Sequence, residues 1–221
     1  MTHKKSIIRT LILAAVTSIL VLPTLLMTSE AIFANNKKKQ QPPSWQTVLS
    51  SIFRRKSEKP ISRGDLCLIT PVNQKPIYSN RPLFLWKGNL TKIAVASSEN
   101  HNPFWENPIS GEKTFVSYAG NDKLEPGKSY EWYGYRENPV MLAKFQVMDT
   151  QQNQVVSDDL KTLERKLQTK GLNKEAIALH KVQYFIDQEL WSDALQEAYS
   201  VPNPSTELLQ ILRDLPEVLC K

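Results

Sequence analysis

Leu124-Glu125-Pro126-Gly127-Lys128-Ser129-Tyr130-Glu131-Trp132, followed by the strand-like run Met141 to Met148, is the stretch whose reading decides the fold. Pro-Gly is a turn signal, and it runs straight into an aromatic strand. A Tyr at the start of a late strand that reaches back to the preceding turn makes a tyrosine corner. Strand alternation puts Tyr130 and Trp132 on one face and Glu131, Tyr133 and Tyr135 on the other. In the next run Ala143, Phe145 and Val147 alternate with Lys144 and Gln146, a clean inside and outside.

Working back from this stretch to Gly64, short apolar runs alternate with turn residues. They predict strands at Leu66 to Ile69, Lys75 to Tyr78, Leu83 to Trp86, Lys92 to Ala96, Lys113 to Tyr118, Ser129 to Tyr135 and Ala143 to Met148. No helix-length segment separates any two of them, which suits an antiparallel sandwich better than an α/β fold. The expectation is an immunoglobulin/fibronectin-III-like antiparallel β-sandwich over residues 63–150. Its core is Leu85 or Trp86 with Ile93, Val95, Val116, Tyr130, Trp132, Phe145 and Val147. Phe104-Trp105, between Pro103 and Pro108, reads as a loop.

Working forward, the grammar becomes helical over 155–221. Ser157 is placed as the cap of a helix with the stripe Leu160, Leu163, Leu167 and with Gly171 at its end. Asn173 caps a second helix carrying Leu179, Val182, Ile186 and Leu190; Ser192 opens a third through Tyr199, and Ser205 a fourth limited by Pro216. The second and third, with Trp191 at their joint and Ala194 and Ala198 as small contacts, resemble one tetratricopeptide unit. A single unit cannot bury its own face, so packing against its neighbours is expected. The fold class is therefore α+β in two parts, a sandwich followed by a tetratricopeptide-like bundle.

Residues 1–34 have the order of a secretory signal: Lys4, Lys5 and Arg9, then the apolar run Leu11 to Met27, then small residues at Ala31 and Ala34. The same run also reads as an uncleaved membrane anchor. Either reading places the remainder in an extracytoplasmic space, periplasmic or secreted. Residues 35–62 have the polar, basic, Pro-containing composition of a linker. Within it Trp45, Val48, Leu49, Ile52 and Phe53 recur at helical spacing, so membrane contact through residues 1–56, or docking on the body, is the alternative to a solvated tether. The formal charge of +6 belongs to these N-terminal segments. From residue 64 onward 17 Lys and Arg stand against 20 Asp and Glu, so the body is acidic and offers no surface for nucleic acid.

Cys67 and Cys220 are the two cysteines, and in an exported chain they are expected to pair. The bond would join the first strand to the extreme C-terminus and, in the chain-entropy view, contribute roughly 5 kcal/mol before corrections. Catalytic and cofactor motifs are not found: there is no metal-ligand spacing, no phosphate loop and no nucleophile elbow. Glu99, His101 and Glu106 are near enough in sequence to share a cation on one loop, although solvated side chains explain them as simply.

Arg63-Gly64 with Cys67 close behind, Leu83-Phe84-Leu85-Trp86, Leu124 to Trp132 and Leu190-Trp191-Ser192-Asp193-Ala194-Leu195, in that order behind a signal segment and a basic linker, resemble the uncharacterised cyanobacterial family called domain of unknown function 928. The Trp105 segment and the Cys220 terminus fall outside that pattern. The resemblance implies a cyanobacterial exported protein and brings no activity with it. Function is accordingly expected to be that of a non-enzymatic interaction or scaffold protein whose partner is another envelope protein. The alternative is a carbohydrate or cell-wall binding module using Trp105, Tyr133 or Tyr135.

Overall fold

The computed structural model describes residues 44–54, 60–72 and 75–221. The signal or anchor expected at 1–34, and the linker apart from 44–54 and 60–62, lie outside the described residues. Among the described residues eight strands and five helices make a mixed α+β body. They are α1 (Trp45–Arg54), β1 (Ile61–Arg63), β2 (Leu66–Thr70), β3 (Leu83–Lys87), β4 (Lys92–Ser97), β5 (Pro103–Pro108), β6 (Phe115–Ser117), β7 (Ser129–Tyr135), β8 (Pro139–Gln146), α2 (Thr150–Thr169), α3 (Lys174–Asp187), α4 (Trp191–Tyr199) and α5 (Thr206–Leu219). Among the described residues no helix is long and apolar enough to cross a membrane.

The strands form two four-stranded antiparallel sheets, ordered β1-β2-β3-β6 and β5-β4-β7-β8. One apolar core lies between them, with Leu68, Phe84 and Trp86 from the first sheet and Ile93, Val95, Trp132 and Phe145 from the second. Phe84 is its hinge point, its ring 5.1 Å from Trp132 and 6.2 Å from Phe145. The Trp132 indole, fully buried, donates to the carbonyl of Pro71 at 2.7 Å, so its polar edge is satisfied. The turn before β7 closes as its sequence requires. Gly127 takes a φ of 76°, where a side chain would be strained, and the Tyr130 hydroxyl accepts from the Glu125 N–H at 2.8 Å.

The helices cover the outer face of the first sheet. Cys67, Ile69, Leu83 and Leu85, the side chains of β2 and β3 that point away from the inter-sheet core, pack on Leu195 of α4 and Leu215 of α5. Polar side chains of α4 complete the join. Asp193 accepts from the N–H groups of Tyr78 and Ser79 at 2.9 and 2.8 Å, Gln196 accepts from Leu83 N–H at 3.2 Å, and Thr70 donates to Ser192 at 2.7 Å. Cys67 and Cys220 are bonded, with Cα atoms 6.1 Å apart, so the C-terminus is fixed to β2 as expected.

Four expectations need correction. Pro103–Pro108 is not a loop but an edge strand. Proline is tolerated at a sheet edge, where the missing N–H breaks no ladder, so the two prolines misled. Lys75 to Tyr78 is not a strand; Ile77 makes one isolated bridge to Val147. The first long helix starts at Thr150, capped by Asp149, and not at Ser157, because its first turn is solvent-facing and carries no apolar period. Pro216 does not stop α5, which continues to Leu219.

Within the stretch read as linker, 45–54 is helical and docked, with Trp45, Val48 and Leu49 buried in the same core as Val182, Phe185, Ile186 and Ala194. The Trp45 indole donates to Glu175 at 2.9 Å, and Glu175 in turn accepts from Ser205 at the head of α5. Ile61–Arg63 adds a short edge strand to β2.

Candidate functional site

Two surfaces of the second sheet carry the aromatic and charged residues that the sequence singles out, and they differ in what they leave free. The outer face, away from the helices, is built on Glu131. Its neighbours Ala94 and Ala96 on β4 are small, so the carboxylate lies down on the sheet and is only 2 % exposed. It accepts from Lys144 at 2.9 Å, from the Tyr133 hydroxyl at 2.7 Å and from His101 Nδ1 at 2.8 Å. A carboxylate only accepts, so the proton sits on Nδ1. Burial by itself raises this carboxyl, but the bonds from Lys144, Tyr133 and His101 outweigh it and hold Glu131 down at about 2. Burial, together with the bond to Glu131, pushes the Tyr133 hydroxyl up to about 12.

Tyr135 lies beside Tyr133, ring centroids 6.4 Å apart, and Lys92 sits over its ring at 4.4 Å while pairing with Glu106 at 2.8 Å. Both tyrosines are half-buried and already engaged by charged neighbours. Glu99, His101 and Glu106 are not gathered together. Glu99 pairs with Lys128, His101 with Glu131 and Glu106 with Lys92. Among the described residues no group of three or more potential ligands could hold a metal ion.

The second surface is a groove of about 560 Å³ where β5, the segment after β6 and the turn before β7 meet. Trp105 lines it, stacked on Phe84 at 5.8 Å and tilted against Tyr118 at 5.0 Å. Phe104 stands at its side, 51 % exposed, edge-on to Tyr130 at 5.9 Å. Burial raises the hydroxyls of both Tyr118 and Tyr130 above the usual tyrosine range. The opposite wall is the 119–125 segment. Arg81 donates to the carbonyls of Gly120 and Asn121, at 2.8 and 3.3 Å, and its guanidinium lies 6.0 Å from the Tyr118 ring. Gly120 lies against that ring, where a Cβ would collide with the Tyr118 hydroxyl and Cζ.

Sequence reasoning singled out Trp105 in the Phe104-Trp105 pair but did not single out Asn121, Asp122 and Glu125, which line the same groove from a segment that no strand pairing joins to β5. No protein-family model matches the chain, and neither a curated protein nor a solved structure does.

Proposed function

We propose that this chain is an exported, non-enzymatic interaction protein of the cell envelope, and that the groove beside Phe104 and Trp105 is its recognition surface. The observation that carries the reading is the contrast between the two surfaces. The outer-face cluster spends its carboxylate, phenol and ammonium on one another, whereas the groove presents a ring and several polar side chains with no bond among the described residues. The alignment of Glu131, His101, Tyr133 and Lys144 is read as a structural network that anchors β7, β8 and the His101 turn.

The strand order 1-2-3-6 facing 5-4-7-8 and the Tyr130 bond to the turn support a fibronectin-III-like sandwich with one added edge strand. The pair α3 and α4, with Ala194 and Ala198 buried between them and Trp191 at their joint, supports the tetratricopeptide-like reading. The pair packs against α1 and α2 through α3, and Leu208 of α5 enters the same core. The disulfide favours an oxidising compartment, in line with the signal-like segment at 1–34 and with the resemblance to domain of unknown function 928.

The partner is an envelope component. The exposed Phe104, beside acceptors that make no bond among the described residues, favours a polysaccharide, with another envelope protein as the second reading. Co-sedimentation of the full exported chain with isolated envelopes of its host tests the site. The wild type is retained and a Phe104→Ala/Asn121→Ala variant is not; equal retention of both removes the groove from the account.

A further inference from the structure

We infer that the groove binds a neutral polysaccharide, with Phe104 as the stacking platform and Asn121, Asp122 and Glu125 as acceptors for sugar hydroxyls; the inference rests on the groove being the recognition surface proposed above. It begins with an irregularity in β5. Val95 faces Trp105 and Ala96 faces Pro103, so Phe104 is an extra residue with no partner on β4. In a regular strand Phe104 and Trp105 would point to opposite faces of the sheet. The bulge re-aims one of them, and both rings line the same groove.

The two rings then divide the work. Trp105 is packed on Phe84 and Tyr118 and belongs to the edge of the core. Phe104 makes one edge-on contact with Tyr130 and keeps half its surface in water. An exposed ring at the side of a cleft offers a flat apolar face, and a pyranose offers the matching apolar face of C–H groups.

The facing wall supplies the polar half. Lys128 and Glu99 satisfy each other at 2.9 Å, which leaves the Asn121 amide and the Asp122 and Glu125 carboxylates without a bond among the described residues. Carboxylates only accept, so their complement is a ligand rich in donors, as sugar hydroxyls are. With Lys123 as the remaining cation, the lining is weakly acidic, which disfavours phosphodiester and uronate polymers. A volume of about 560 Å³ lies within the range of small-ligand clefts. The wall is also preformed, since Arg81 and the Gly120–Tyr118 contact hold it, so little ordering is needed on binding.

The test is calorimetric titration of the full exported chain with cellohexaose, maltohexaose, xylohexaose and mannohexaose, and with oligogalacturonate as the acidic control. At least one neutral hexamer binds, Phe104→Ala weakens it about tenfold, as loss of an aromatic anchor does, and Asp122→Asn weakens it several-fold. Tyr135→Leu on the outer face leaves it unchanged, and oligogalacturonate does not compete. Asp122 is a surface residue, so its variant keeps the test valid if Phe104→Ala folds poorly. No binding of any neutral glycan, tighter binding of the acidic one, or binding indifferent to both groove variants overturns the sugar assignment. If the groove variants nevertheless lose envelope association, the interaction reading stands and its partner is a protein; if they do not, both fall.

Discussion

The hydroxyl of Tyr199 donates to the carbonyl of Leu212 at 2.9 Å, the acceptor left without its helical donor by Pro216 four residues on. This is why α5 runs through a proline. The ring of Tyr199, itself 4.9 Å from Phe115, brings an O–H to the place where an N–H is missing.

Tyr199→Phe should therefore destabilise the protein by about 1 kcal/mol, the net worth of a hydrogen bond to a half-buried acceptor. Pro216→Ala returns an N–H to Leu212, so adding it to Tyr199→Phe should recover part of the loss. Urea unfolding of the two single variants and the double variant measures the coupling; simple additivity would mean that the Tyr199 bond does not substitute for the helical one.

Reduction of Cys67–Cys220 releases a closure of 153 positions, so the reduced protein should be less stable by about 2–5 kcal/mol. Thermal melts with and without a dithiol check this, with Cys67→Ala/Cys220→Ala as the control that should no longer respond. Because Leu215 covers Ile69, Leu83 and Leu85, hydrogen exchange in α5 should rise first.

The two buried carboxylates should act in opposite directions with pH. Burial pushes Asp193 up to about 6 even though the Tyr78 and Ser79 N–H groups bind it. Its folded pKa lies above its unfolded value, so its contribution is complete below about 4 and is lost as pH rises through about 6. Glu131, held at about 2, contributes above about 4.5 and loses that contribution as pH falls toward 2. Relative to Asp193→Asn the wild type should lose stability between pH 4 and 7, and relative to Glu131→Gln it should lose stability between pH 4.5 and 2. The same sign of slope in both comparisons would contradict the assignment.

Gly120→Ala should disturb the groove without disturbing the fold, since the added Cβ meets the Tyr118 ring and forces the 119–125 wall outward. Retention on envelopes should fall while the melting temperature changes by only a few degrees, as a change of about 1 kcal/mol would give. Unchanged retention would show that the wall is not a recognition element.

Much of this architecture is legible in local sequence. The Leu124 to Trp132 stretch carries its turn, its corner bond and its two faces within nine positions, and Asn173 and Ser205 cap helices by bonds three residues away. What was not legible depends on partners far along the chain. The stripe of α1 is visible, but the core it enters is contributed by α3 and α4 more than a hundred residues later. Glu131 looks like a solvent-face charge until His101, thirty residues earlier, and Lys144 are brought onto it. Phe104 looks like a loop residue because the bulge that exposes it exists only in the register against β4.

Hydrogen–deuterium exchange of the full chain, free and bound to host envelopes, tests the central claim most directly. Protection should appear at Phe104-Trp105 and across 118–125, with the outer face at Glu131, Tyr133 and Tyr135 unchanged. Protection confined to that outer face, or to the helical layer, would contradict the account.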